Sequence, residues 1–180
     1  MVKTISVACF VLLLAIPALA QDDYPKIQTS MGYANLSFLD FGALQNGIVQ
    51  TTHHSGFANE TGLNLSKTFG VDNYMGLYSL GTDSTLIADF LGGKATLRAA
   101  KITPYAIGGI GFGYFSAASI GYYSSSFGTR YGGGVDVPIN EVLSWKVEVS
   151  RMSFHINPLT NSGWTSGTNI QGGIVFTLVN

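Results

Sequence analysis

Two histidine stretches and a set of charged residues at alternating positions are the groups in this sequence that could do chemistry. His155 lies in Arg151-Met-Ser-Phe-His-Ile-Asn157. Ser153, two residues earlier, would share a strand face with it, and a serine needs a neighbouring imidazole to become a nucleophile. His53-His54 offers two imidazoles to a metal, with Asp40 and Glu60 nearby in sequence. Adjacent strand residues point to opposite faces, which argues against one shared metal site and for a solvated loop. Gly109-x-Gly111-x-Gly113 has the spacing of a phosphate-binding loop but lacks the helix such a loop must open, so strand glycine is the better reading. The remaining set is Lys94, Arg130, Asp136, Lys146 and Glu148, each on the face opposite its stretch's apolar residues when read with period two.

The elements that would position these groups are strands. Residues 1–20 read as a secretory signal: Lys3, an apolar run from Ile5 to Ile16, then Pro17-Ala-Leu-Ala20 before Gln21. The run is shorter than the ~20 residues of a membrane-crossing helix. The one cysteine, Cys9, falls inside this segment, so residues 21–180, read as one barrel domain, hold no thiol for a disulfide, metal or nucleophile. Without Lys3 the domain carries eight Lys and Arg against ten Asp and Glu, a net charge of −2 with no basic patch for nucleic acid. Charged residues make up only 11% of the chain, against ~25% in ordinary soluble domains. All 23 glycines lie beyond the signal. Few charges, many glycines and aromatics, and no helical span together fit a closed membrane barrel.

Eight period-two stretches follow. They are Lys26–Asn35, Phe57–Thr68, Tyr74–Leu80, Thr85–Leu97, Thr103–Ser116, Phe127–Val137, Leu143–Met152 and Thr168–Leu178. The seventh is the cleanest, with Trp145, Val147 and Val149 opposite Lys146, Glu148 and Ser150. The eighth sets Ile170, Gly172, Ile174, Phe176 and Leu178 against Asn169, Gln171, Gly173, Val175 and Thr177. The phase of the fifth is ambiguous, because its glycines interrupt both faces. Turns are expected at Phe69–Asn73, Arg98–Ile102 and Pro138–Glu141. Loops are expected at Leu36–Gly56, whose ends could extend the neighbouring strands, and at Gly81–Ser84, Ala117–Ser126 and Ser153–Gly167. The fold class is therefore all-β: a transmembrane, antiparallel, up-and-down barrel of about eight strands, with short turns on the periplasmic side and mostly longer loops outside.

A lipid-facing Lys or Arg at the midplane costs roughly 2–4 kcal/mol, so Lys94, Arg130, Asp136, Lys146 and Glu148 are expected inside, with Glu148 near Lys94, Lys146 or Arg130. Eight strands enclose a space just wide enough for side chains, which predicts a packed polar interior and no wide pore. The other reading of the same cluster is a narrow ion path. Tyr74, Trp145 and Phe176 are candidates for a periplasmic aromatic ring, and Tyr114, Phe127 and Trp164 for an outer one.

The C-terminal residues Gln171, Gly173 and Phe176 resemble the polar-x-Gly-x-x-aromatic-x-aromatic ending of outer-membrane barrels, the strand that the insertion machinery of such barrels reads. Leu178 stands in place of the second aromatic, and Val179 and Asn180 extend beyond it. Thr103-Pro-Tyr105 before a glycine-rich strand, Gly132-Gly-Gly-Val-Asp136 before Pro-Ile-Asn, and Gly173-Ile-Val-Phe176 together resemble the small outer-membrane barrels akin to the OmpA transmembrane domain. That resemblance implies outer-membrane lipid and the insertion machinery as partners, and no cofactor. It implies no catalytic residues. His155 stands where outer-membrane lipid A deacylases carry a His-x-Ser-Asn motif, but Asn157 occupies the serine position. The expected role is non-enzymatic, either envelope structure or contact with a surface ligand that the sequence does not name. A narrow channel and a deacylase-like enzyme are the alternatives, and a secreted soluble barrel would share the strands without the membrane.

Overall fold

Alternation alone makes a strand, but closure decides what the two faces meet. In a computed structural model of the chain, which describes residues 24–39, 51–81, 83–98, 101–117, 121–156 and 163–179, the strands close on themselves. They are β1 (Ile27–Leu39), β2 (Thr51–Asn64), β3 (Phe69–Gly81), β4 (Ser84–Thr96), β5 (Thr103–Ala117), β6 (Tyr122–Pro138), β7 (Leu143–Ile156) and β8 (Gly163–Val179). Each pairs antiparallel with its neighbours in sequence, and β1 pairs with β8. The barrel satisfies its backbone without an open edge. Lys26 N–H donates to Val179 C=O at 2.7 Å, so the start of β1 is tied to the end of β8.

Register fixes the shape. Pairs followed once around, from Gln28 through Gly62, Asp72, Gly92, Gly109, Arg130, Met152 and Gly167, return to β1 at Phe38, ten residues further on. That stagger tilts the strands strongly against the barrel axis. Tilted backbones approach closely at inward glycines, among them a glycine pair on β4 and β5. A Cβ on Gly92 would fall against the Gly108 carbonyl and Gly109 Cα, and one on Gly109 against the Leu91 carbonyl and Gly92 Cα. Glycine is the residue that admits such an approach.

The strands run 13–17 residues, beyond the ~9–11 needed to cross a bilayer, so several expected loops are strand. Ser, Thr and Tyr carry β6 and β8 past the apolar belt, turning much of Ala117–Ser126 and Ser153–Gly167 into sheet. The ends of Leu36–Gly56 do extend the strands, Leu36–Leu39 in β1 and Thr51–Gly56 in β2; residues 40–50, like residues 1–20 and 157–162, lie outside the described residues. The turn expected at Phe69–Asn73 is displaced. It falls at residues 65–68, where the backbone N–H groups of Thr68 and Phe69 donate to Ser66 Oγ. Phe69 already opens β3. The fifth strand's phase is now defined: Tyr105 and Ile107 point inward, while Ile110, Phe112 and Tyr114 point outward.

The exterior is apolar and the interior is layered. Met31, Phe57, Met75, Leu77, Leu91, Ile110, Trp145, Val147, Val149 and Ile170 all stand outward and exposed. The interior is not the uniformly polar packing expected from the sequence. Its half nearer the termini is charged. Its far half is a cluster of Ala34, Leu36, Ala58, Tyr78, Leu86, Ala88, Phe90, Met152 and Phe154, with Phe115 and Leu80 against it. The physical reason is parity: in β4 the inward set is Leu86, Ala88 and Phe90 before Lys94, so one strand face changes from apolar to charged along its length.

Candidate functional site

The site is the charged layer. Lys94 comes from β4, Arg130 and Asp136 from β6, and Lys146 and Glu148 from β7, all at inward positions. Two further carboxylates join them, Glu60 from β2 and Asp72 from β3. Three cations thus face four carboxylates.

Arg130 is the hub. Its Nη2 donates to Glu148 Oε1 at 2.5 Å and to Glu60 Oε2 at 3.1 Å, and its Nη1 to Asp72 Oδ2 at 3.3 Å. Its guanidinium carbon lies 3.9 Å from the centre of the Tyr74 ring. Planar guanidinium suits both roles, forked pairing with carboxylates and stacking on a ring. Lys146 Nζ stands 2.7 Å from Glu60 Oε2 and 3.3 Å from Glu148 Oε2. Lys94 Nζ bridges Glu60 and Asp136 at 3.7 Å each and sits 4.0 Å over the Tyr105 ring. Tyr105 Oη donates to Glu148 Oε2 at 3.1 Å.

Between the charged and apolar layers lies a hydroxyl and amide step. Tyr74 and Tyr78 share a hydrogen bond through their hydroxyls, and Tyr78 Oη donates to Asn169 Oδ1 at 2.9 Å. Tyr74 is therefore not part of an interfacial ring. It is fully buried, because the longer β3 gives it the inward parity of Asp72. The other aromatic candidates stand outward: Trp145 and the half-buried Phe176 towards the termini end, and Tyr114, Phe127 and Trp164 towards the far end, where Phe127 meets Trp164 edge-on at 6.3 Å.

Among the described residues, free space beside the charges is small. A void of about 10 Å³ lies beside Glu60, Lys94 and Lys146, at the lower limit for one water molecule. Above the charges, Phe154 packs against Phe90 and Phe115, each pair of rings 5.6 Å apart. Such an arrangement holds charges in place and offers no route for a hydrated ion among the described residues.

The histidines lie elsewhere. His155 belongs to β7 rather than to a loop edge, is exposed, and meets Trp164 at 5.5 Å. Ser153 Oγ is hydrogen-bonded to Ser166 Oγ at 2.8 Å. His53 Nδ1 bonds Ser37 Oγ at 2.8 Å, and His54 bonds Thr52 Oγ1 at 2.9 Å and Ser79 C=O at 3.2 Å. They point to opposite faces, and Glu60 lies in the charged layer, away from both. Asp40 falls outside the described residues. No group of three or more potential metal ligands occurs among the described residues.

Two charges break the inside rule. Asp89 of β4 and Arg151 of β7 are exposed on the outward face. Their parity, shared with Leu91 and Val149, was the available signal.

No protein-family model matches the sequence, and no curated protein does. Solved structures share the fold. Neisserial surface protein A superposes with a TM-score of 0.68 at 11% identity, over 84% of this chain and 97% of that one. Ail, the attachment invasion locus protein of Yersinia pestis, gives 0.57 at 15% identity, over 85% and 99%. The N-terminal barrel domain of Pseudomonas aeruginosa OprF gives 0.52 at 12% identity, over 83% and 97%. The resemblance to small outer-membrane barrels holds at the level of fold: this chain is an eight-stranded, closed, antiparallel barrel of that kind.

Proposed function

We propose that the chain is a plugged, non-enzymatic outer-membrane barrel whose role is envelope structure or contact at its outer end. On this reading residues 1–20 direct export and are removed, residues 21–180 form the single barrel domain, and the insertion machinery reads the strand ending Gln171-Gly-Gly-Ile-Val-Phe176. The observation that carries the reading is the filled interior: among the described residues the void in the charged layer has room for at most one water, and packed rings cap it. The apolar exterior supports a lipid environment and weighs against a secreted soluble barrel, whose outward side chains would be polar. The hydrogen-bonded Ser153 and the ring-packed His155 support a non-enzymatic role. Ail bears the name of an attachment and invasion protein and has been crystallised with the heparin analogue sucrose octasulfate, which supports a surface-contact role for this fold.

Conductance across a planar bilayer tests the plug. The protein is expected to give no unitary currents. Currents that Glu148→Ala or Arg130→Ala abolish would replace this reading with the narrow channel.

A further inference from the structure

Asp89 is a carboxylate in the middle of an apolar wall. On its own strand it lies between Ile87 and Leu91; across the ladder it pairs with Met75 on β3 and Phe112 on β5. All four are exposed outward. Asn73 Nδ2 donates to Asp89 Oδ1 at 2.9 Å, which gives one amide hydrogen bond and no counter-charge. Polar groups continue from this pair across three strands: Asn73 is flanked by Thr61, whose Oγ1 bonds Thr29 Oγ1 at 3.2 Å, and Asn59 Nδ2 donates to Ser30 C=O at 2.9 Å. Hydrocarbon gives such a row nothing to bond.

The complementary charge is on the same surface, elsewhere around the barrel. Among described strand residues that face outward, Asp89 and Arg151 are the two that carry a charge. Neither has an ion-pair partner within its own chain among the described residues. Arg151 pairs across the ladder with Tyr131 and Thr168. The two stand at one depth. Pairs lead from Phe90 on β4 through Gly111 and Gly128 to Phe154 on β7. A ladder that climbs ten residues in eight steps climbs about four in three. Asp89 is one residue above Phe90 and Arg151 three below Phe154, so the climb cancels the offset.

We propose that this wall is a contact between copies of the chain within the membrane, in which Asp89 of one barrel pairs with Arg151 of the next. The proposal rests on the membrane reading above. Two barrels inserted in the same sense carry these side chains at matching depth, and the pair forms in a low-dielectric setting where an isolated charge is costly. The two patches lie three strands apart on one barrel, so the contact is head-to-tail and generates a ring or a row rather than a two-fold dimer.

Cysteine crosslinking of the barrel domain in lipid vesicles tests this, since residues 21–180 contain no cysteine of their own. Leu91→Cys and Val149→Cys, each one step along the face from the charge, are made in separate copies and mixed. The expected result is a 91–149 crosslink, with neither 91–91 nor 149–149. Asp89→Arg in the first copy is expected to abolish it, and Arg151→Asp in the second to restore it. Only monomers, a dominant 91–91 or 149–149 band, a band indifferent to the charge swap, or crosslinks solely to a different protein in native membranes would each overturn the proposal. Heat-modifiable migration of every variant separates the two readings: a wild-type chain with no compact heat-sensitive band fails the barrel itself.

Discussion

Arg130 Nη2 reaches Glu148 Oε1 at 2.5 Å while the same guanidinium lies over the Tyr74 ring, so one side chain ties β3, β6 and β7 together inside the barrel. The same Glu148 accepts from Tyr105 and faces Lys146, which adds β5.

Removing that carboxylate takes one acceptor from Arg130, Lys146 and Tyr105, while Arg130 keeps Glu60 and Asp72 and Lys146 keeps Glu60. Glu148→Ala is expected to lower stability by about 1.5–3 kcal/mol, the range for a lost hydrogen bond to a charged group. The urea concentration at which the heat-modifiable band disappears measures it. A loss no larger than that of a surface control would show that the network is dispensable.

The ring layer makes an independent contribution. Phe154→Ala removes contacts to Phe90 and Phe115 and is expected to cost about 3–5 kcal/mol in the same assay. Neither Phe154→Ala nor Glu148→Ala alone is expected to give a conducting barrel, because each leaves the other layer shut. Bilayer recordings of the two single variants and the double check this, with current expected in the double alone.

Two glycines on neighbouring strands should respond in opposite directions to the same added methyl. Gly92→Ala drives a Cβ into β5 backbone and is expected to cost more than about 2 kcal/mol, on the scale of overpacking. Gly108→Ala meets nothing within 4 Å and is expected to be neutral or to gain about 0.4–1 kcal/mol from a stiffer unfolded chain. Equal effects in urea titration would contradict the close approach.

Tyr78→Phe deletes a hydroxyl bonded to Tyr74 and Asn169 and leaves Asn169 Oδ1 without its donor. The expected cost is about 1–3 kcal/mol, the range for an orphaned buried polar group. Asn169→Leu added to Tyr78→Phe is expected to recover part of it, and a double-mutant cycle on the same titration reads the coupling.

Strand seven was legible because its code is strict: Trp145, Val147 and Val149 against Lys146, Glu148 and Ser150 leave one phase for a barrel. Glu60 and Asp72 were not. Glu60 sits between Asn59 and Thr61, where both faces are polar and period two carries no signal. Asp72 lies in Phe-Gly-Val-Asp-Asn, whose glycine and asparagine have turn chemistry, whereas the actual turn is closed by a serine hydroxyl with no glycine. The same displacement put Tyr74 at a strand end instead of under Arg130. The apolar half of the interior was hidden by a presumption that inward means polar, which Leu86, Ala88 and Phe90 contradict.

The layering bears on how the barrel would respond to voltage. A potential applied between its ends pulls Arg130 and Lys146 one way and their carboxylate partners the other, and the rings from Tyr78 to Phe154 leave the cations no space to move into. The layer holds no charge free to travel, so a voltage ramp is expected to produce no gating step.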